Sequence, residues 1–228
     1  MTTPAALSPS KGLNVIHLFC HPTDVVDVVA VHDAVTYAHS KGLQVVTAAI
    51  MGAKADVCFM VLGENLWDLR TFQSKIQGAG LFVSESYVSV TEVSEYSQGM
   101  PEEMLNARLY PVLPPEGMTA FCFYPMSKRR GDDNNWYSLP YDERDQLMRE
   151  HGKSGRTFKG RIVQVVTGST GLDDWEWGVT LFGVHVDDLK DCVYTMRFDE
   201  ASTLYGEFGQ FYTGLVGTVD EVFAAAIA

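Results

Sequence analysis

The sequence predicts an α+β protein built from two ferredoxin-like repeats, each with the element order β-α-β-β-α-β. Two observations carry this prediction: apolar residues switch between strand and helix spacing in that order, and the order occurs twice in 228 residues. A stretch with several prolines, residues 97–118, separates the two copies. We expect the two sheets to close face to face or edge to edge into an α+β barrel, because closure hides exposed sheet edges.

In the first half, short apolar runs predict the strands, and apolar residues at helical spacing predict the helices. Val26, Ala34 and Tyr37 belong to one helical stripe, which Gly42 ends. The predicted strands are 14–20, 43–51, 57–62 and 81–93, and the predicted helices are 24–40 and 65–76. Residues 1–12 lack the apolar core of a signal peptide, and we expect them to form a disordered leader.

The second half repeats this pattern of strands and helices. Its predicted strands are 120–126, 162–168, 175–182 and 208–215, and its predicted helices are 141–155 and 186–197. The domain boundaries that follow are a leader at 1–12, an N-terminal repeat at 13–105 and a C-terminal repeat at 106–228. Such a fold hosts many functions, so the chemistry must be argued from a site.

The distribution of charge excludes some classes of partner. A net charge of −12 argues against general nucleic-acid binding, which needs a basic surface. Residues 128–161 nevertheless carry 9 Lys and Arg against 6 Asp and Glu. A basic patch on an acidic protein suits a small polyanionic ligand. A solvated helix face of mixed charge explains much of 142–156 equally well, but it fits Lys128-Arg129-Arg130 less well, because these follow an apolar strand directly.

The cysteines and the hydropathy of the sequence indicate the cellular compartment in which the protein is expected. No apolar stretch approaches the length that spans a bilayer. The four cysteines form no CxxC pair and sit among apolar neighbours: Cys20, Cys58, Cys122 and Cys192. We therefore expect buried free thiols in a reducing, cytoplasmic compartment.

His151 is the histidine whose surroundings differ from those of the others. It lies on or beside the apolar stripe of its helix, and Gly152 and Gly155 flank it. Glycine in a helix costs about 1 kcal/mol relative to alanine, which makes sense if a flat group approaches the backbone closely. A lone core histidine is the alternative. The other five show no metal-site spacing and are expected at the surface or as satisfied core residues: His17, His21, His32, His39 and His185.

Two strands of the second half carry polar side chains in apolar rows. Strand alternation places Gln164 with Ile162 and Val166, where a buried amide needs hydrogen-bond partners. Gln164 could bond to a neighbouring backbone or present an uncharged donor to a ligand. Tyr124 precedes Lys128 near the end of its strand and is either an ordinary core tyrosine or a residue poised beside the basic cluster.

A nearby pair of tryptophans has a less specific pattern. Trp175 and Trp177 share a predicted strand face and are expected to be core residues rather than cofactor contacts.

Taken together, these segments resemble the chlorite-dismutase superfamily, and more narrowly the coproheme decarboxylases of the bacterial coproporphyrin-dependent haem pathway. The resemblance covers essentially the whole second half, whereas the first half matches only in element order. The matching text is YPMSKRR (124–130), NWY (135–137), REHGKSGRTFKGRIVQVVTGSTGLDDWEWGVTLF (149–182) and MRFDEASTLYGEFGQFYTG (196–214). It implies the dimeric-α+β-barrel fold of that superfamily, with the porphyrin in the second repeat.

The resemblance assigns roles to individual residues of this chain. The proximal iron ligand falls on His151, the radical-forming tyrosine on Tyr124, and the lysine near the reactive propionate on Lys128. The distal glutamine falls on Gln164. Positions that line the porphyrin or its propionates fall on Met126, Trp136, Arg197, Ser202 and, across a small gap in spacing, Arg108.

The residue at position 164 distinguishes between subfamilies. True chlorite dismutases carry an arginine there, whose charge stabilises hypochlorite, and the neutral amide of Gln164 cannot supply that stabilisation. A second branch of decarboxylases uses a distal histidine before the tyrosine strand. No histidine lies between His39 and His151, so the resemblance implies the branch that lacks this base.

The implied reaction is peroxide-dependent. Hydrogen peroxide would oxidise Tyr124 to a radical, and two propionates of iron-coproporphyrin III (coproheme) would become vinyl groups, giving haem b through a three-propionate intermediate. Coproheme is then both substrate and redox cofactor. The resemblance also implies a homopentamer and a transient contact with coproporphyrin ferrochelatase. Two other classes stay open: a general haem peroxidase or chlorite-degrading enzyme, and a porphyrin-binding carrier or sensor without catalysis.

Overall fold

The computed structural model describes residues 4–227, and its first repeat has the predicted order of elements. These are β1 (Asn14–Pro22), α1 (Val28–Ser40), β2 (Gln44–Ile50), β3 (Val57–Gly63), α2 (Leu66–Gly78) and β4 (Leu81–Thr91). Helix α1 begins four residues later than predicted, because the Asp27 carboxylate accepts hydrogen bonds from the backbone N–H groups of Val29 and Ala30. An N-cap at Asp27 leaves residues 24–26 outside the helix.

The stretch between the repeats contains a helix that the sequence pattern did not indicate. It is α3 (Glu102–Leu109), which follows Pro101 and has two glutamates in its first turn. None of its residues is buried. Apolar periodicity arises from burial of one face, so a helix without a buried face leaves no such signal.

The second repeat keeps the predicted order but adds short elements near its end. They are β5 (Ala120–Lys128), a 3-10 turn (Trp136–Ser138), α4 (Tyr141–Arg156), β6 (Ile162–Gly168), β7 (Trp177–Gly183), α5 (Val186–Met196), α6 (Glu200–Thr203), β8 (Gly206–Phe208), β9 (Tyr212–Val216) and α7 (Val219–Ala226). The single predicted strand 208–215 is thus two strands, β8 and β9. Helix α7, also not predicted, starts with a reciprocal capping pair, Thr218 and Glu221.

In the described part of the chain, nine strands form one sheet in the order β7-β6-β4-β1-β3-β2-β9-β5-β8, and β7 also pairs with β5. This last pairing closes the sheet into a barrel. The two repeats meet edge to edge at two seams, where β4 pairs with β6 and β2 pairs with β9. The α+β barrel prediction is therefore confirmed, and edge-to-edge closure is the arrangement adopted.

Three apolar layers surround and fill the barrel. The interior combines aromatic residues of both repeats, including Phe19, Phe123 and Phe182. Helices α1, α2 and α7 cover the outer face of the first repeat. Helix α5 covers part of the outer face of the second, where Leu189 packs near Tyr124. All four cysteines are buried and free, as predicted.

The start of the chain is held against the first repeat from Leu7 onward. Leu7 accepts a hydrogen bond from the backbone of Leu66 and donates one to Asn65, and Gly12 donates one to the Tyr110 hydroxyl. These contacts differ from the predicted disordered leader at 1–12, of which residues 1–3 lie outside the described part. Within residues 4–227, no helix has both the length and the apolar character needed to cross a membrane.

Candidate functional site

The outer face of β5, β6 and β7 gathers several residues that the sequence singled out. The strand register places Tyr124, Val179 and Val166 in one row across the sheet, and Gln164 projects on the same face in the next row. Tyr124 is buried beneath α5, whereas Val166 is 38% exposed and Gln164 is also exposed. The expectation that the Gln164 amide is buried is therefore wrong for the isolated chain, because α5 covers only the β5 side of this face.

Tyr124 lies in an aromatic cluster at the buried side of this face. Its ring stacks on Phe211 with the ring centroids 4.4 Å apart, and Phe208 packs at 5.9 Å. The Arg197 guanidinium lies over the Phe208 ring at 3.9 Å. Burial raises the pKa of Tyr124 well above its ordinary value, so the phenol is neutral at physiological pH. Met126 is paired with Phe208 at the end of the same strand.

Lys128 follows on β5 and is buried. Its Nζ donates a hydrogen bond of 2.8 Å to the Ala201 carbonyl and lies 4.3 Å from the centroid of the Trp136 ring. Burial lowers the pKa of Lys128 to about 8, although the negative charges of Asp199 and Glu176 oppose this shift. Lys128 is thus a buried amine whose protonation depends on the group that binds beside it.

His151 lies on α4 and is fixed by residues just before and within α6. Its Nδ1 lies 3.0 Å from Oδ2 of Asp199 and 3.5 Å from the Ser202 hydroxyl. Burial alone would raise the pKa of Asp199, but hydrogen bonds from His151 and Ser202 outweigh it and lower that pKa. A carboxylate at Nδ1 holds the proton there, which leaves the lone pair of Nε2 free for a metal.

Helix α4 runs along the outer face from one end to the other. Leu147 packs in the same cluster as Trp136 at the Lys128 end. Beyond the helix, Phe158 packs with Met196 and Ile162 at the opposite end of β6. His151 lies between these two anchors, alongside the exposed part of the sheet.

The glycines beside His151 are not required by the packing of the protein. A Cβ added at Gly152 would come no closer than 3.4 Å to Arg156, and one at Gly155 no closer than 3.8 Å to Met196. Both are ordinary contacts. The interpretation that these glycines make room for a flat ligand stays a prediction.

Arg108 is set apart from the other predicted residues. It is exposed on α3 and donates a hydrogen bond of 3.2 Å to Ser97. Its hydrogen bond within residues 4–227 thus reaches none of the other predicted site residues.

Trp175 and Trp177 do not share a strand face, contrary to the prediction. Trp175 precedes β7 and packs against the barrel interior, whereas Trp177 lies in a row with Gly168 and Met126 on the outer face.

Asp199 is a hydrogen-bond partner of His151 that sequence reasoning missed. It is 48 residues from His151, and no periodic spacing links two residues across that distance. The same holds for Ala201, whose carbonyl accepts from Lys128 over 73 residues. Polar residues just after a helix are ordinary in any sequence, so no signal marked them.

The fold defines the class of protein: an α+β barrel of two ferredoxin-like repeats, with one available imidazole nitrogen beside an apolar sheet face. Within residues 4–227, no three His, Cys, Asp or Glu side chains are grouped to hold a bare metal ion. The family model for chlorite dismutase matches residues 25–217, and the chain belongs to this family.

Solved structures agree with this assignment. A protein described as a novel heme-binding protein from Thermus thermophilus is 33% identical, with 96% of each chain covered and a TM-score of 0.82. A mutant chlorite dismutase from Candidatus Nitrospira defluvii is 18% identical, covers 95% of this chain and 96% of its own, and has a TM-score of 0.76. The second likeness concerns the fold alone.

A haem-type group fits the residues present. His151 offers Nε2, and a histidine nitrogen is a common protein ligand of a haem iron. The exposed apolar face beside it, including Val166, suits a flat macrocycle. Lys128 and Arg197 at one end suit its carboxylates.

Proposed function

We propose that this chain uses hydrogen peroxide to decarboxylate two propionates of coproheme to vinyl groups, giving haem b through a three-propionate intermediate. The observation that carries the proposal is the position of Tyr124. It is a buried, neutral phenol on the sheet face alongside α4, with Arg197 near one end and Lys128 four residues further along β5. Each propionic acid and one peroxide yield one vinyl group, one CO2 and two waters, so each step removes two electrons.

The side chains of the site would hold and orient the porphyrin. His151 would bind the iron through Nε2, with Asp199 fixing the ring. Lys128 and Arg197 would pair with carboxylates. The remaining predicted contacts to the porphyrin or its propionates are Met126, Trp136, Ser202, Gln164 and Arg108. When bound, the iron porphyrin would supply the reaction with peroxide that oxidises a nearby phenol.

Tyr124 would act as the hydrogen-atom acceptor. After losing one electron and its proton, it would take a hydrogen atom from the β-carbon of a propionate held beside it, which restores the phenol. Loss of a second electron from the substrate would then release CO2. The apolar stacking of Tyr124 on Phe211 excludes water from one side of the phenol, which protects a radical from side reactions.

The neutral amide at position 164 argues against chlorite decomposition. Gln164 carries no charge that could stabilise an anionic product, and its side chain has no recorded hydrogen-bond partner within the described residues. A general haem peroxidase would make less use of Tyr124 and Lys128. Comparing turnover of coproheme with peroxidase turnover of haem b distinguishes these two reactions.

The experiment that tests the proposal is mass spectrometry of the coproheme-loaded chain during titration with peroxide. We expect two successive mass losses, each corresponding to one CO2 and two hydrogens. Bleaching of the porphyrin without either loss would contradict the proposal. A carrier is the second candidate, favoured by the description of the Thermus relative as a heme-binding protein. It would release intact coproheme to an acceptor protein and show neither mass loss.

The wider setting follows from the same proposal. A haem-biosynthetic role would place the chain in the cytoplasm, as a homopentamer that meets coproporphyrin ferrochelatase transiently. Sedimentation of the purified chain tests the pentamer, and a monomer at micromolar concentration would contradict it.

A further inference from the structure

If hydrogen peroxide is activated at the outer sheet face that bears Tyr124 and Gln164, the reaction needs a proton acceptor there. Peroxide must lose a proton before its O–O bond is cleaved heterolytically, and a positioned base accelerates that transfer. The residues already placed on this face do not supply one. Gln164 is a neutral amide, and burial raises the pKa of the Tyr124 phenol.

Glu92 brings a carboxylate to the same face. Strand β4 pairs with β6 through Val90 with Gly168 and Thr91 with Thr167, so the next residue, Glu92, stands opposite Val166. Side chains of opposed residues in an antiparallel pair project to the same side of the sheet. Glu92 therefore projects with Val166, on the face that also bears Gln164 and Tyr124.

The atomic contacts agree with this placement. A Cβ added at Gly168 would collide with Oε2 of Glu92, so the carboxylate lies directly over that glycine on the outer face. Oε1 accepts a hydrogen bond of 2.9 Å from Nε1 of Trp177. Within residues 4–227, Oε2 has no recorded hydrogen-bond donor. One oxygen is thus anchored and the other is available.

The surroundings of Glu92 suit a base. Burial raises the pKa of Glu92, and the hydrogen bond from Trp177 partly offsets that rise. Among residues 4–227, no charged neighbour contributes to this shift of the Glu92 pKa. The titratable or charged groups already placed on this side of the sheet are Tyr124, Lys128 and Arg197. A carboxylate with a raised pKa is a stronger base than an ordinary glutamate.

We infer that Glu92 is the proton acceptor for hydrogen peroxide on this face, an inference that rests on the proposed function. The carboxylate takes one proton from H2O2, which leaves the hydroperoxide anion. It returns that proton to the departing hydroxide to form water as the O–O bond breaks, a cleavage for which the bound iron porphyrin would supply the two electrons. The backbones of Glu92 and Gln164 lie roughly 8 Å apart, because Glu92 stands opposite Val166 and Gln164 is two residues from Val166 on β6. One water bridges the remaining gap from the carboxylate to a peroxide beside the Gln164 amide.

Two other roles for Glu92 fit the contacts less well. A carboxylate repels the propionates of the porphyrin, so it is unsuited to binding them. A residue that only held the Trp177 indole could be a glutamine, which accepts the same hydrogen bond without the cost of burying a charge. The sequence pointed to a branch without a distal histidine, and the fold supplies a carboxylate on that face instead.

Cyanide binding to the full chain loaded with ferric haem b tests this inference without any turnover. HCN, like H2O2, must lose its proton as it binds iron. For the wild type, we expect the association rate to fall as the pH falls through the pKa of Glu92. Glu92→Gln should slow association by about a hundredfold and remove this dependence. The matched control, Glu85→Gln, changes an exposed glutamate at a distant point of β4 and should leave the rate unchanged.

A second variant moves the pKa without removing the base. Trp177→Phe deletes the one hydrogen bond to Glu92 that lowers its pKa among residues 4–227. The pH below which the cyanide association rate falls should therefore shift upward. If the pH dependence of the cyanide association rate in this variant equals that of the wild type, the inference is overturned, even if Glu92→Gln fails to fold. A Glu92→Gln rate equal to that of the wild type would overturn it as well.

The outcome is separate from that of the proposed function. Cyanide kinetics that depend on Glu92, together with no decarboxylation of coproheme, would reject the proposed reaction and support the proton acceptor. Decarboxylation with cyanide kinetics independent of Glu92 would reject only the inference.

Discussion

At the scale of single residues, the Tyr124 phenol is neutral, stacked on Phe211 and shielded from solvent. We expect Tyr124→Phe to bind coproheme and consume peroxide but to form little or no three-propionate intermediate or haem b. The substitution keeps the ring and its packing and removes only the oxidisable O–H. Mass spectrometry of the bound porphyrin measures the loss.

A neighbouring tyrosine provides the control for that variant. Tyr137 is 48% exposed, so its phenylalanine variant should remain active. If Tyr124→Phe decarboxylates near the wild-type rate, the radical mechanism is wrong, whatever the family.

Lys128 predicts proton uptake when coproheme binds. With a pKa of about 8, the free amine is mostly neutral at about pH 9, and a carboxylate placed beside it raises that pKa. Wild-type binding at about pH 9 should therefore take up close to one proton more than binding by Lys128→Met. Calorimetry in two buffers of different ionisation enthalpy measures this difference, which should vanish at about pH 6.

The exposed Lys190, paired with Asp191, is the matched control for Lys128. Lys190→Met should take up protons as the wild type does. Equal uptake by wild type and Lys128→Met would show that no carboxylate of the ligand reaches Lys128.

His151 and Asp199 make a paired prediction. His151→Ala should remove nitrogen ligation of the iron and weaken retention of coproheme. Asp199→Asn should weaken binding by roughly tenfold and lower the iron–histidine stretching frequency, because an amide accepts the Nδ1 proton less strongly than a carboxylate. Resonance Raman spectra of the ferrous haem complex measure that frequency.

Asp191, on α5, has a half-exposed side chain paired with Lys190, so Asp191→Asn should change neither the affinity nor the stretching frequency. An unchanged frequency in Asp199→Asn would mean that the carboxylate does not hold the ligand ring.

At the scale of elements, the seam between β2 and β9 joins the repeats through few residue pairs. Gly214 lies in this seam, and a Cβ added there would collide with the Ala49 backbone oxygen, which cannot move without opening the pairing. We expect Gly214→Ala to lower the free energy of unfolding by about 2–3 kcal/mol. Urea unfolding followed by circular dichroism measures this change.

A helical glycine serves as the comparison for Gly214. Nothing lies within 4 Å of a Cβ added at Gly78, in the last turn of α2, so Gly78→Ala should be neutral or stabilising by up to about 1 kcal/mol. Equal stability of Gly214→Ala and the wild type would mean that the seam tolerates displacement.

At the scale of the whole molecule, both repeats contribute to one interior core, in which Phe19 of β1 contacts Phe123 of β5 and Tyr212 of β9. We therefore expect one cooperative unfolding transition, with equal calorimetric and van't Hoff enthalpies. Residues 106–228 alone should not fold as a monomer, because β6 would lose β4, β9 would lose β2 and the core would be halved. A dispersed amide spectrum from that fragment would contradict this.

Much of the second repeat could be predicted locally. The predicted strand 162–168 has the same bounds as β6. The order of strands and helices in both repeats followed from apolar spacing, because burial of one face imposes that spacing on each element separately. The roles expected of His151, Tyr124 and Lys128 came from the family resemblance, which depends on short segments of sequence and needs no coordinates.

The closure of the barrel and the pairing of distant side chains could not be predicted from local sequence patterns. Edge-to-edge joining of β4 with β6, the carboxylate of Asp199 at His151 and that of Glu92 at Trp177 each depend on residues far apart in the chain. A contact across 48 or 85 residues leaves no periodic trace in either segment, since each residue type is ordinary where it stands. Only packing of the barrel brings these groups within hydrogen-bond distance, and it does so by burying the apolar faces of both repeats at once.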